Sequence, residues 1–390
     1  MHVVGVARDD VRAWRAAMTL TQANYQVSIV DITCERAACV EEEVAGIHLK
    51  HLYVSRSFLS ERFRQRSFRN AALVFVRALL RLIRTPADMY HALDLAALPA
   101  CYVASRLRRK PVIFDAYDMP LETLALADMT KGRYLLQTLL RPLINYSIAH
   151  CAGIIAASPA TVKEIKRRYR VSNISLVRNI PPYQPVARSD RLRRFLNLES
   201  DTHIALYQGN LQPDRGLDTL VRAARFLDEN IIIVIMGKDR LPGTRSRLEA
   251  LIADERVADR IKIIPSVPYQ ALLNWTASAD LGLIVFQPKY SLNIQQTLPN
   301  KLFEFIMAGV PILASQLDAA VDIIRTYNVG RIVTSLSPAD IAAAINDMLA
   351  DHAALASMRC NALDAAKSQL NWEKEKQALI GFYRNILDMS

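Results

Sequence analysis

Thr297-Leu-Pro-Asn-Lys-Leu-Phe-Glu-Phe-Ile-Met-Ala-Gly-Val-Pro-Ile-Leu-Ala-Ser315 is the stretch from which the rest of the chain is read. Pro299 stops whatever precedes it, Asn300 has an N-cap side chain, and the apolar run through Met307 and Ala308 has helical composition. Gly309 suits the position just past a helix end, Pro311 forbids continuation, and Val310 to Ala314 reads as a short buried strand. A helix opening at Asn300 leaves its first-turn N–H groups without intrahelical partners and turns its positive dipole end outward, which makes a seat for a diphosphate. Lys301 adds a full charge at the mouth. Glu304, a turn further in, is badly placed for phosphate and well placed to take both hydroxyls of a ribose. The alternative for any single helix is a core helix with a polar first turn; the full run of Pro, Asn, Lys, Glu, Gly and Pro shifts the reading toward a ligand site.

The segments Pro299-Asn-Lys-Leu-Phe-Glu304 and Ala308-Gly-Val-Pro-Ile312 together resemble the donor-site signature of retaining glycosyltransferases of the GT-B fold, family 4 (glycosyl transferases group 1). The resemblance implies that the helix start, with Asn300, Lys301 and Leu302, holds a nucleotide diphosphate and that Glu304 holds the ribose.

Composition sets independent bounds. A chain of 390 residues is long enough for two domains, and 51% hydrophobic with 22% charged residues is a globular balance that can bury real cores. The net charge of +11 implies an anionic partner: a phosphorylated ligand, acidic lipid or nucleic acid. Cys34, Cys39, Cys101, Cys151 and Cys360 are odd in number and scattered without C-x-x-C, which fits a reduced cytoplasmic protein and not zinc. The opening His2-Val-Val-Gly-Val-Ala7 reads as a strand, so no signal peptide is expected, and no run of about twenty apolar residues implies a membrane span.

Val3–Ala7, a helix from Asp10 to Ala23 and a strand from Gln26 to Asp31 form a βαβ opening, the start of a doubly wound parallel sheet. There is no G-x-G-x-x-G to hold a dinucleotide cofactor, and the Gly-Gly loop common among the family's members is absent. From Arg62 to Arg84 seven arginines and no acid interleave with Phe63, Phe68, Phe75, Leu79, Leu80, Leu82 and Ile83. This basic apolar segment is too short to span a bilayer. It reads either as a helix packed on the sheet with a solvated basic edge or as one lying on an anionic membrane surface. Nucleic acid is not expected, since no binding module surrounds it.

Strand–helix–strand repeats from Tyr90 to Asp118, and polar residues just past parallel strand ends face a ligand crevice. Asp94, Asp115, Tyr117 and Asp118 are so placed. Loop capping is the competing role for Asp115 and Asp118. The segment resembles the family's "D-a-H-E" strand end, with Tyr117 in place of the His and Asp118 in place of the Glu; a tyrosine can hydrogen-bond a sugar hydroxyl but will not become cationic. Gly132–His150 reads as helix, Gly153–Ala157 and Ile174–Val177 as strands, and Pro181, Pro182 and Pro185 as a stiff linker.

The second half restarts the rhythm. Ile204–Gly209 is a strand, Asn210–Gly216 a loop and Leu217–Leu227 a helix; Gly209 and Gly216 permit close backbone approach and Arg215 supplies a bidentate cation for phosphate. The family pattern puts Arg at position 210 and Lys at 215, so Asn210 is a departure and Arg215 carries the charge. Ile231–Met236 is a buried strand ending at Gly237. After Ile261–Ile264, the resemblance places the nucleotide base against Val267. It also implies an E-x7-E pair whose second member is Glu304 and whose first position is held by Gln296.

The expected architecture is therefore α/β: a GT-B pair of Rossmann-like domains facing a cleft. An acceptor-binding domain spans 1–183, a nucleotide-sugar domain 184–368, and a helix over 369–390 crosses back to the first domain. The expected function is metal-independent, retaining transfer of a hexose-type sugar from a nucleotide diphosphate sugar to a saccharide or polyprenyl-linked acceptor. Its setting would be bacterial envelope or exopolysaccharide synthesis, in the cytoplasm or at the inner face of the plasma membrane, with no cofactor and no metal. Arg215, Lys301, Glu304, Asp118 and Tyr117 are the catalytic candidates. A catalytically silent GT-B scaffold subunit, motivated by Tyr117, Asn210 and Gln296, is the rival. A GT-B epimerase ranks last, because its carboxylates should line both sides.

Overall fold

Alternation of short apolar runs with amphipathic ones builds two sheets, each in its own unit. The computed structural model describes residues 1–33, 40–54, 68–118 and 141–389. One unit comprises Met1–Asn179 with Glu375–Ser390, the other Ile180–Lys374.

In the first unit the strands are β1 (His2–Val3), β2 (Val27–Thr33), β3 (Glu41–Val44), β4 (Ile47–Tyr53), β5 (Tyr90–Leu93), β6 (Val112–Ala116), β7 (Gly153–Ala156) and β8 (Ile174–Leu176). They lie in the order β3-β4-β2-β1-β5-β6-β7-β8, parallel except for β3, which runs antiparallel to β4. The β3–β4 hairpin is not legible in the sequence: Glu41-Glu-Glu-Val44 looks unlike a strand, yet charge is how a sheet edge avoids further pairing. β1 is shorter than the Val3–Ala7 reading, because the Ala7 N–H leaves the ladder and donates to the buried Asp31 carboxylate at 3.0 Å. Asp10 caps the following helix, Val11–Gln22, accepting from the N–H groups of Arg12 and Ala13.

The helix Phe68–Arg84 packs on the helix Leu98–Arg108. Arg62, Arg64 and Arg66, and the part of the expected Gly132–His150 helix before Arg141, lie outside the described residues. The final helix, Trp372–Asp388, packs its far part on the first sheet. There Glu375 pairs with Arg178, the Tyr383 hydroxyl meets His91 Nδ1 at 2.5 Å, and Gly153 leaves room for Phe382, whose ring would lie 2.4 Å from an added Cβ.

In the second unit β9 (His203–Gln208), β10 (Ile231–Met236), β11 (Ile261–Ile264), β12 (Leu281–Ile284), β13 (Ile312–Ser315) and β14 (Gly330–Val333) form an all-parallel sheet ordered β11-β10-β9-β12-β13-β14. β10 is Ile-Ile-Ile-Val-Ile-Met and buried throughout, as a parallel strand covered on both faces must be. The neighbours of the sheet order, β9 and β12, connect outward in opposite directions, so their carboxyl ends mark a topological switch point.

Candidate active site

The quoted stretch folds as helix Asn300–Met307 followed by β13, with Gly309 in the left-handed region at φ 64° just past the helix. Two expectations need correction. Pro299, not Asn300, is the N-cap, in extended backbone with no side-chain cap; Asn300 is the exposed first helical residue. Lys301 is not a charge at the mouth but is buried at 8% exposure. Its position in the first turn points it inward, onto the sheet, because the same helix face carries Leu302, Phe305 and Ile306 into the core.

Lys301 Nζ lies 3.5 Å from the centroid of the Tyr207 ring and 5.0 Å from that of Phe286, with no hydrogen-bond partner among the described residues. Burial pushes its pKa well down, the Arg215 charge adds to this, and Glu304 and Asp214 oppose it. Arg215 ends a one-turn 3-10 helix, Pro213–Arg215, and its guanidinium lies over the same Phe286 ring, 4.3 Å from the centroid. Both predicted phosphate cations therefore share one aromatic wall.

The glycines explain how they come so close. Gly209 follows β9 with φ 126°, and a Cβ there would stand 3.3 Å from Lys301 Nζ. Gly216 sits at φ 71° against the Val285 carbonyl, 2.1 Å from an added Cβ; one at Gly237 would stand 1.9 Å from the Gly209 carbonyl. The Asn300 helix start and the Gly209–Gly216 turn are thus adjacent. Of the other predicted residues, Asn210 is exposed, Val267 is half-buried against the core, Leu302 is fully buried, and Gln296 is the half-buried C-cap of a short helix, Leu292–Gln295.

Glu304 accepts a hydrogen bond from Gln208 Nε2 at 2.6 Å, and Thr276 Oγ1 lies 2.7 Å from Gln208 Oε1. Neither Gln208 nor Thr276 was foreseen from the sequence. The signal was a polar residue, Gln208, closing β9 directly after the buried run Ile204–Tyr207.

In the first unit the carboxyl ends of β5 and β6 bring together Asp94, Asp115, Tyr117 and Asp118. Asp115 is buried and ion-paired: Arg12 reaches it through Nη2 at 2.7 Å and Nε at 2.9 Å, while Arg12 Nη1 donates to the Val177 carbonyl. Burial alone would raise the Asp115 carboxyl, but Arg12 and His91 outweigh it and hold it below its ordinary value. Asp115 is thereby a structural anchor facing inward. Tyr117 and Asp118 remain half-buried beside it. The Tyr117 hydroxyl donates to Asp10 at 3.4 Å, and burial together with four surrounding carboxylates drives its pKa upward, so it stays a neutral donor. Asp94 holds φ 72° and its carboxyl is raised to about 6, by burial first and then by Asp118, Asp115 and Asp10.

Two family models match the chain one after the other: Glycosyltransferase Family 4 over residues 11–181 and Glycosyl transferases group 1 over residues 188–365. The chain belongs to this glycosyltransferase family. Its two parallel sheets with flanking helices are the GT-B fold. Among solved structures, sucrose-phosphate synthase from Thermosynechococcus elongatus is similar with a TM-score of 0.79 at 16% identity, covering 98% of this chain and 94% of that one. Anabaena HepE in complex with UDP-glucose is similar with a TM-score of 0.70 at 16% identity, covering 98% and 97%. Among curated proteins, D-inositol 3-phosphate glycosyltransferase from Acidothermus cellulolyticus is 30% identical over 210 residues, 51% of this chain and 44% of that protein. The enzyme of the same description from Xylanimonas cellulosilytica is 24% identical over 253 residues, 60% and 57%. The chain spans about half the length of the curated relatives it matches.

In this family member Lys301, Arg215 and Gly209 lie together, and unforeseen residues hold them and their neighbour Glu304: Tyr207 and Phe286 for the cations, Gln208 and Thr276 for the carboxylate.

Proposed function

We propose that the protein transfers a sugar from a nucleotide diphosphate sugar to an acceptor hydroxyl, with retention at the anomeric carbon and without a metal. One observation carries this reading: Lys301 and Arg215 are held against the same Phe286 ring, beside bare glycine backbone and the first turn of the Asn300 helix. Bringing two like charges together in a largely buried site is unfavourable; Asp214, 3.5 Å from Arg215 Nε, offsets this in part, and a further anion joining the two cations would offset the rest. A diphosphate supplies that anion, and its charge grows as the glycosidic bond breaks, so preorganised donors there lower the barrier by several kcal/mol. The leaving phosphate takes the acceptor proton. Glu304 holds the ribose, and Val267 lies beside the base. Tyr117 and Asp118 orient acceptor or sugar as neutral donor and acceptor. The absence of Asp-x-Asp supports the metal-free reading. HepE complexes with UDP and with UDP-glucose support the donor class.

The acceptor, in this reading, is lipid-linked or polysaccharide, met at the inner face of a bacterial membrane. Among the described residues no helix is long and apolar enough to cross a membrane. The helix Phe68–Arg84 instead exposes Leu73, Val76 and Leu80 at 54%, 46% and 45%, one stripe beside the exposed Arg77 and Arg84. That combination suits an anionic lipid surface.

Turnover of UDP-, GDP- and ADP-sugars with lipid-linked and oligosaccharide acceptors tests the proposal. Glu304→Ala and Arg215→Ala should each lower kcat/KM by about 100-fold or more with melting unchanged. Near-normal rates in both contradict it, and donor binding with no turnover on any acceptor favours the scaffold reading.

A further inference from the structure

Glu304 is fixed from behind. Gln208 closes β9 at 2% exposure and Thr276 closes the helix Tyr269–Thr276 at 0%. A carboxylate only accepts hydrogen bonds, so the Gln208 amide must turn its N–H toward Glu304 Oε2. Its carbonyl then faces Thr276 Oγ1, and the threonine proton must point to it, although the Leu272 carbonyl at 2.9 Å competes for that proton. Every orientation in the chain Thr276–Gln208–Glu304 follows from the acceptor at its end. Both supports stand on elements packed into the core, where a half-satisfied network would be costly and a satisfied one is rigid.

We propose that Gln208 and Thr276 are positioning residues that hold the Glu304 carboxylate in the geometry needed to recognise the sugar hydroxyls of the nucleotide. This rests on the reading of Glu304 as the ribose ligand and deepens it: discrimination between ribose and deoxyribose depends on two buried residues that never touch the nucleotide. An unsupported Glu304 rotates among its own rotamers, and the energy of its hydrogen bonds to the ribose is spent on ordering it.

Titration calorimetry on the full chain tests this, using UDP, GDP and ADP, each against its 2′-deoxy counterpart. The wild type should prefer the ribonucleotide by about tenfold or more for the base it binds best, the value expected for a hydrogen bond to a charged group. Glu304→Ala should abolish the preference. Gln208→Met and Thr276→Val, close in shape but lacking the polar contact, should lose most of it, while Thr276→Ser should retain it. A purely structural role would lower the melting temperature of these variants and leave the ratio untouched. If Glu304→Ala loses the preference and both Gln208→Met and Thr276→Val keep it, the positioning inference is overturned and the ribose reading stands. If the wild type shows no preference, binds none of the three, or Glu304→Ala keeps the preference, the ribose reading fails and the inference with it.

Discussion

The Lys301 ammonium nitrogen stands 3.5 Å from the centre of the Tyr207 ring, buried and without a hydrogen-bond partner among the described residues. A desolvated cation–π contact is worth about 2 kcal/mol, whereas burying an ammonium costs several. The folded protein therefore keeps a residue that weakens it, at the point where a diphosphate would need it.

Replacing that residue should separate stability from binding. Lys301→Met keeps the packing against Tyr207 and Phe286 and removes the buried charge, so it should stabilise the fold by about 1 kcal/mol or more and reduce nucleotide diphosphate affinity. The Lys301 pKa lies below its ordinary value of 10.5. The unfolded chain thus binds more protons between the lowered value and 10.5, and stability should rise with pH through that window. Thermal melts from pH 7 to 10 should show this rise in the wild type and a flatter profile in Lys301→Met.

Asp94 should behave with the opposite sign. Its carboxyl moves from 3.8 to about 6 in the folded state, so the native protein binds more protons across that interval and loses stability as pH rises through it. Asp94→Asn tolerates the left-handed backbone and can still accept from the Leu95 N–H. It should raise stability at pH 7 by roughly 1–3 kcal/mol, after discounting for partial exposure, and flatten the profile between pH 4 and 6. Urea unfolding at pH 4 and pH 7 measures both.

Arg12→Leu leaves the Asp115 carboxylate buried without its bidentate partner. Loss of one member of such a pair costs about 3–5 kcal/mol, and urea denaturation should show it. The double variant Arg12→Leu with Asp115→Asn should recover part of that loss, since no buried charge then remains in the pair.

The stripe of Leu73, Val76 and Leu80 should bind vesicles containing phosphatidylglycerol and not neutral ones. Arg77→Ala with Arg84→Ala should weaken binding by about thirtyfold, from about 1 kcal/mol for each arginine. Co-sedimentation with both vesicle types reads the result; equal recovery in the supernatant for all samples would remove the membrane partner.

The fold and the cluster around Lys301 were legible to different depths. Continuous apolar strands such as Ile231–Met236 and the Pro299-to-Pro311 punctuation carry local information, so the two parallel sheets and the Asn300 helix could be read directly. The first half was harder. Glu41–Val44 pairs as an edge strand that no propensity suggests, and Asp115 looked like a crevice residue until Arg12, 103 positions away, claimed it. The environment of Lys301 is likewise set by Tyr207 in β9 and Phe286 just past β12, and Gln208 acquires meaning only through Glu304, 96 positions away. Spacing reveals which residues share a helix face; it does not reveal which distant residue turns a side chain inward.

The central claim is that a nucleotide's diphosphate docks between the Asn300 helix start, Lys301 and Arg215. Calorimetric titration with UDP, GDP and ADP beside UMP, GMP and AMP tests it most directly. The diphosphate of the preferred base should bind about 100-fold tighter than its monophosphate, and Arg215→Ala should remove most of that gap. Equal affinity for mono- and diphosphate, or a gap unchanged by Arg215→Ala, would contradict the account.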